Sequence, residues 1–319
     1  PALLLWLPLY WFVTVLVHEL GHVVGGTLAG MRFVLLAVGP LKIVNEQGAL
    51  RVRLNTVPGM WGGLALMVPA TTDRFQSRLA LFVAGGPLAS MLLAVALGVA
   101  AANLHGAMRA GAAIGALMSG AIGAATLIPV TLGGYASDGG QLLGLLRRDA
   151  AAEIRGAIAT IAGASMNGTR PRDYDPVLIE RALTLSADGM PRMGALMLAA
   201  LRSLDRGEDA SAFFEPLEPL HTQLPDGMRQ GLAVWLAWHH AMERQDAAAA
   251  TIWLARGKGG LVDGDQRALA EAAVAFVSGD RAAAEAAVRK GLALKPGMDP
   301  GASKLVRDLL LAIEGRLAA

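Results

Sequence analysis

The segment VTVLVHELGHVVGG, residues 13 to 26, sets His18, Glu19 and His22 inside an apolar run. On a helix, positions i and i+4 share a face, so both imidazoles can hold one divalent ion while Glu19 stands beside it as general base for a water. An ionisable side chain at membrane depth costs about 2.5 kcal/mol or more, which marks these three groups as a functional site. The bland alternative is a pair of buried histidines with Gly21 packing the helix, and it leaves Glu19 unpaired in an apolar helix. A catalytic zinc takes three protein ligands and keeps one position open. The chain has no cysteine, which removes thiolate ligands, disulfides and a cysteine nucleophile and leaves His, Asp and Glu. Besides Glu19, residues 1–146 contain only three acids: Glu46, Asp73 and Asp138. Asn45-Glu46 lies in a Gly-flanked, hairpin-like stretch. Asp138 is the better third ligand, since glycines in GGYASDGGQLLGLL let backbone approach closely. Two histidines and one carboxylate also suit iron.

These residues need elements to position them. From residue 1 to 31 the only formal charge is Glu19, and the run exceeds the roughly 20 residues that cross a hydrocarbon core. It predicts a transmembrane helix, kinked near Pro8. Residues 79–108 and 110–137 contain no Asp, Glu, Lys or Arg and predict two further spans, joined tightly around Asn103 to Arg109. Between the first two spans, RFVLLAVGPLKIVNEQGALRVRLN has the β-branched runs and Gly breaks of strands and hairpins. The following VPGMWGGLALMVPA, bracketed by Pro58 and Pro69, is too short to span and predicts a re-entrant or interfacial segment bordering a cavity. Arg32, Lys42, Arg51, Arg53, Arg74 and Arg78 lie between spans one and two, Arg147 and Arg148 follow span three, and the loop before span three holds Arg109 alone. The positive-inside rule therefore puts the first connection and everything after residue 147 in the cytoplasm. Spans one and three then end on the same side, so His18, His22 and Asp138 can meet. A cleavable signal peptide is a poor reading of residues 1–30, which lack a basic leading region.

Residues 1–146 hold 7 of the 28 basic and 4 of the 26 acidic side chains, leaving 21 and 22 for the remainder. The organisation expected is a transmembrane metal-binding core at 1–146, a linker or amphipathic region at 147–176 and a cytosolic helical domain at 177–319. RQDAAAATIWLARG (244–257) and SGDRAAAEAAVRKG (278–291) align at a shift of 34, the period of tetratricopeptide helix pairs. Residues 177–220 are expected to hold a third helical pair. The alternative is an Ala-rich bundle without a binding groove. His239, His240 and Glu243 have helical spacing and are expected on an exposed face of these repeats. The six tryptophans fit interfacial or core packing. The net charge is +2 and the pI about 9.2, but neither half has the clustered basic face of a nucleic-acid binder.

HELGH in a first span, AGGPLAS (84–90) in a second, and Pro129 followed by Asp138-Gly139-Gly140 after a third resemble, in this order, the site-2 protease family of intramembrane zinc metalloproteases. The resemblance covers roughly residues 1–146 and matches the compact members, without a PDZ-like insertion. Thr126 and Ser90 stand where the family usually has Asn. The resemblance implies that His18, His22 and Asp138 bind Zn2+, that Glu19 is catalytic, and that Gly85, Gly86, Pro87 and Gly139 shape the core and the substrate site. Together with the 34-residue period of the second half, it implies a mainly α membrane protein, a transmembrane metalloprotease core with a small membrane-associated β region, followed by a soluble α-helical repeat domain. The expected activity is hydrolysis of a transmembrane protein substrate in an inner or plasma membrane, as in regulated intramembrane proteolysis. The partners expected are membrane lipid around the core and a cytosolic protein on the repeats, with no nucleic acid. A substrate helix must unwind before attack, and pairing with the hairpin of residues 33–54 by strand addition is one route. The rival reading is a membrane-anchored adaptor whose metal site is structural or idle. A soluble metallopeptidase with a buried helical core fits three long uncharged stretches poorly.

Overall fold

A computed structural model describes residues 6–46, 49–56, 58–69, 74–132, 135–147, 150–224, 228–259 and 262–319. Gln47-Gly48, Asp73 and Arg148, singled out above, lie outside the described residues. The chain is mainly helical with a small four-stranded sheet. It divides into two compact units, 1–45 with 49–152 and 46–48 with 153–319.

In the first unit, α1 (Leu7–Leu28) leads into β1 (Met31–Val38), β2 (Leu41–Glu46), β3 (Ala49–Leu54) and β4 (Leu64–Pro69). Then follow α2 (Phe75–Asn103), α3 (Gly106–Leu127), a two-residue hairpin β5 (Thr131–Leu132) and β6 (Tyr135–Ala136), and α4 (Asp138–Arg147). Helices α1, α2 and α3 are long and apolar enough to cross a membrane; the 22 residues of α1 extend about 33 Å at 1.5 Å per residue. Pro8 falls in the first turn of α1, where its missing N–H costs nothing, so it starts the helix instead of kinking it. Only Leu104 and His105 separate α2 from α3.

The sheet order is β3-β2-β1-β4. Val34 to Val38 of β1 are all buried, as a central strand covered on its faces requires. The stretch expected to be re-entrant is instead a 3-10 turn at Pro58–Met60 followed by β4. Strand β1 offered an open antiparallel edge, and Leu64–Pro69 takes it, pairing Leu36 with Ala65 and Leu35 with Leu66. Pro69 sits at the strand's last position, where a proline interrupts no ladder. The loop before β4 is tied back by Asn55, whose buried side-chain amide donates to Gly39 O at 2.8 Å.

The second unit contains α5 (Ala150–Met166), which begins just before the division, α6 (Pro176–Leu185), α7 (Gly189–Asp205), the short α8 (Ser211–Phe214) and α9 (Leu217–Leu220), α10 (Met228–Met242), α11 (Ala247–Arg256), α12 (Gly264–Val277), α13 (Arg281–Ala293) and α14 (Pro300–Ala318). The 34-residue spacing has a structural counterpart. Asp246 and Asp280 cap α11 and α13, accepting from Ala249 N and Ala283 N. Ala250 and Ala284 are both fully buried. Pairs α10/α11 and α12/α13 stack through α10 and α12, and α14 closes the array on α12 and α13. Helices α6 and α7 form a further pair. Two polar clusters pin the start of this unit. Arg170 and Arg172 both donate to the buried Asp205 carboxylate, and Ser165 bridges Tyr174 and Asp299 at 2.5 and 2.6 Å. Burial opposes ionisation of Asp205, but the Arg170 and Arg172 hydrogen bonds outweigh it and hold its pKa at about 2. His239 is not on an exposed face. It is 1 % exposed, stacked on Phe214 at 4.8 Å and bonded to Glu243 at 2.5 Å, because α8 folds over that side of α10.

Candidate metal centre

Helices α1 and α2 approach so closely that side chains are excluded at the crossing. A Cβ on Gly21 would lie 2.3 Å from Gly85 O, and one on Gly85 2.2 Å from Gly21 O. Small residues that admit backbone-to-backbone contact are the common device for packing apolar helices. One residue further along α2, a Cβ on Gly86 would fall 2.3 Å from His22 Nε2 and 2.8 Å from His18 Nε2. Gly86 thus vacates the space into which both imidazoles project. Pro87, buried in the middle of α2, cannot donate to the Val83 carbonyl. That leaves the Val83 carbonyl without its helical donor, and one residue earlier the Phe82 carbonyl accepts from His22 Nδ1–H at 2.9 Å.

Asp138 arrives from the far side of α3. Ser137 donates to Ile128 O at 2.6 Å and accepts from Val130 N and Gly140 N, each at 3.1 Å. This closes the β5–β6 hairpin and caps α4, so Asp138 stands in the first turn of α4. Gly139 leaves no room for a side chain: its Cβ would lie 1.8 Å from Leu127 O.

The three candidate ligands meet. His18 Nε2 and His22 Nε2 lie 3.2 Å apart; His18 Nε2 is 3.2 Å from Asp138 Oδ2 and His22 Nε2 3.5 Å from Asp138 Oδ1. Ligands about 2.0 to 2.1 Å from a tetrahedral ion sit about 3.3 to 3.4 Å from one another, which matches these separations. The histidine Nδ1 atoms are both engaged elsewhere, His22 with Phe82 O and His18 with Ser90 Oγ at 2.9 Å. That arrangement turns both Nε2 atoms and a carboxylate toward one point, where only a proton or a cation relieves the repulsion of their lone pairs. The residues present therefore fit a divalent metal, and His18, His22 and Asp138 could hold it.

Glu19 is buried beside this cluster. The Ala65 amide donates to its carboxylate, and Gly63, with φ +110°, leaves the space that Glu19 Oε1 occupies, 2.3 Å from where a Cβ would stand. His18, Glu19, His22 and Asp138 open onto one cavity of about 270 Å3, also lined by Met60, Gly63, Leu64, Ala65, Phe82, Ala136 and Gln141. One wall of the cavity is thus β4, an edge strand of the sheet. β3, at the opposite edge of the sheet, contributes nothing to it.

Of the residues expected from sequence, His18, Glu19, His22 and Asp138 are brought together, Gly86 abuts both imidazoles, Gly85 forms the helix crossing, Pro87 is buried within α2 with its carbonyl toward Gly123 of α3, and Gly139 locks α4 against the end of α3. The side chain of Glu46 lies outside the described residues. Ala65, Gly63, Phe82, Gln141 and Ser90 were not anticipated at the site. Of these, Ser90 alone carried a signal, as the departure at the end of AGGPLAS. Comparison with protein-family models, with curated proteins and with solved structures yields no match for this chain.

Proposed function

We propose that the chain is an intramembrane zinc endopeptidase of the site-2 protease type, which hydrolyses peptide bonds in the membrane-spanning segments of other proteins. The observation that carries this reading is the meeting of His18, His22 and Asp138, distant in sequence, at ligand spacing with the Glu19 carboxylate in the same cavity. Zinc, when bound by those three side chains, supplies a Lewis acid that acidifies water and polarises a peptide carbonyl. Glu19 accepts the proton of the attacking water and returns it to the leaving amine. The Ala65 N–H fixes the carboxylate against the cavity wall, so little reorganisation is needed when the proton moves. Helices α1 to α3 cross an inner or plasma membrane, and their exposed apolar side chains face lipid. A substrate helix keeps its amides hydrogen-bonded to itself, so it must unwind before attack. The outer edge of β4 can then take the released strand by addition alongside the Glu19 carboxylate. The helix pairs of the second unit are a tetratricopeptide-like cytosolic platform for a protein partner.

The test measures metal content and cleavage of co-reconstituted single-span helices for the detergent-purified wild type, Asp138→Ala and Glu19→Gln. Expected are about one zinc in the wild type and in Glu19→Gln and none in Asp138→Ala. Turnover should fall about 10²- to 10⁴-fold in Glu19→Gln. Wild-type zinc in Asp138→Ala would break the ligand set. A loaded wild type that cleaves no faster than Glu19→Gln would move the reading to a membrane-anchored adaptor with a structural metal.

A further inference from the structure

The two imidazoles are not held alike. His22 Nδ1 donates to a backbone carbonyl, Phe82 O, an acceptor that every sequence supplies. His18 Nδ1 lies 2.9 Å from a side chain, Ser90 Oγ, so only the residue type at position 90 can provide its partner. Ser90 and Ser119 are both 0 % exposed. The Ser119 hydroxyl, on α3, donates to the Ser90 backbone carbonyl at 2.8 Å. A Cβ on Gly123 of α3 would come 3.0 Å from Ser90 Cβ, so the serine is clamped between helices and its hydroxyl stays near the imidazole. The contacts form one line from α3 through α2 to His18 on α1.

The geometry points to Ser90 as the positioning residue of the metal centre: its hydroxyl accepts His18 Nδ1–H and selects the tautomer that turns Nε2 toward His22 and Asp138, while Ser119 holds the Ser90 backbone through its carbonyl. This inference rests on the metal-centre reading above. A ring nitrogen that faces a metal gains basicity and a fixed orientation when the opposite N–H has an acceptor. In an apolar helix bundle a hydroxyl supplies that acceptor at far lower desolvation cost than a carboxylate. The competing view is that Ser90 is a small residue chosen for close packing. Alanine would then serve equally well, since it preserves the packing and removes the hydroxyl alone.

The experiment is zinc competition against a chelator for the full-length wild type, Ser90→Ala and Ser119→Ala, with thermal unfolding in the same detergent. Ser90→Ala should bind zinc about 10- to 100-fold more weakly with an unfolding temperature of the metal-free protein close to wild type. Ser119→Ala should lie between the two. Cobalt in place of zinc should give an altered visible spectrum in Ser90→Ala, a signature that packing alone does not move. Equal zinc affinity in wild type and Ser90→Ala overturns the positioning role and leaves the metal centre standing. Absence of zinc from the wild type overturns the metal centre, and this inference with it. Should Ser90→Ala fail to fold, nitrogen NMR of the zinc-loaded wild type decides, with the His18 signals assigned by their absence from His18→Asn. A proton on His18 Nδ1 supports the inference, and a metal on that nitrogen overturns it.

Discussion

At the scale of single residues, the centre depends as much on a missing side chain as on those present. Gly86→Ala would place a methyl 2.3 Å from His22 Nε2 and 2.8 Å from His18 Nε2, and neither ring can retreat without losing its Nδ1 partner. We expect this one-carbon change to lower zinc affinity at least about 10-fold, as loss of an orienting partner does, while helix content is unchanged. Chelator competition checks it, and wild-type affinity in Gly86→Ala would show that the imidazoles are not confined as described. His18, Glu19 and His22 were legible in the sequence because their relation is local: helical periodicity alone puts residues four apart on one face. Asp138 was legible by another route, the scarcity of acids in an apolar half-chain. Gly86 and Ser90 could not be assigned their contacts in this way. Which α2 residue faces which imidazole depends on where α1 and α2 cross, and no periodicity within either helix records that.

At the scale of elements, the strand that borders the chemistry is the one the sequence concealed. LALMVP in β4 is a continuous apolar run without alternation, which periodicity cannot distinguish from a buried helical segment. By contrast, Leu50-Arg51-Val52-Arg53-Leu54 alternates and was read as a strand, and it forms the exposed edge β3, away from the cavity. The hairpin of residues 33–54 was therefore the plausible platform for an unwound substrate from sequence, and β4 is the better one from the fold. The two edges give opposite expectations for one perturbation. Ala65→Pro removes the amide that donates to Glu19 and blocks pairing at the cavity wall, where an edge strand tolerates proline best. Cleavage should fall at least about 10-fold, the worth of one lost orienting hydrogen bond of about 1.4 kcal/mol, with zinc content unchanged. Val52→Pro, on β3, should leave cleavage near wild type. If Val52→Pro abolishes cleavage and Ala65→Pro does not, the substrate is held by the hairpin edge.

At the scale of the whole molecule, the two units differ in charge and in where their apolar side chains lie. Apolar side chains on α1, α2 and α3 point outward, with Leu28 at 75 %, Leu92 at 70 % and Leu117 at 75 % exposure. Each such leucine gains about 1.5 kcal/mol or more by leaving water. The unit from residue 153 onward instead keeps most of its large apolar side chains in a core, with Leu236, Leu269 and Leu310 at its centre, and leaves only scattered ones such as Val177 and Ile252 exposed. The contrast in charge stands in the sequence itself, where residues 1–146 hold 7 of the 28 basic and 4 of the 26 acidic residues, and the fold divides into two units near residue 152. The exact division was not legible there, since α5 begins at Ala150 and runs across it. Under the proposed function, the positive-inside rule makes orientation a prediction from the basic residues flanking the three apolar helices. The natural absence of cysteine makes the measurement clean, because a single introduced thiol is the only one in the chain. In intact cells a membrane-impermeant maleimide should label His105→Cys, between α2 and α3, and should reach Lys258→Cys, in the second unit, only after permeabilisation. The reverse pattern would place the second unit outside and remove its role as a cytosolic platform. Labelling of both in intact cells would mean that α3, the candidate span between the two positions, does not cross. The ends of α1 and α3 would then no longer share a side, although His18, His22 and Asp138 need them to.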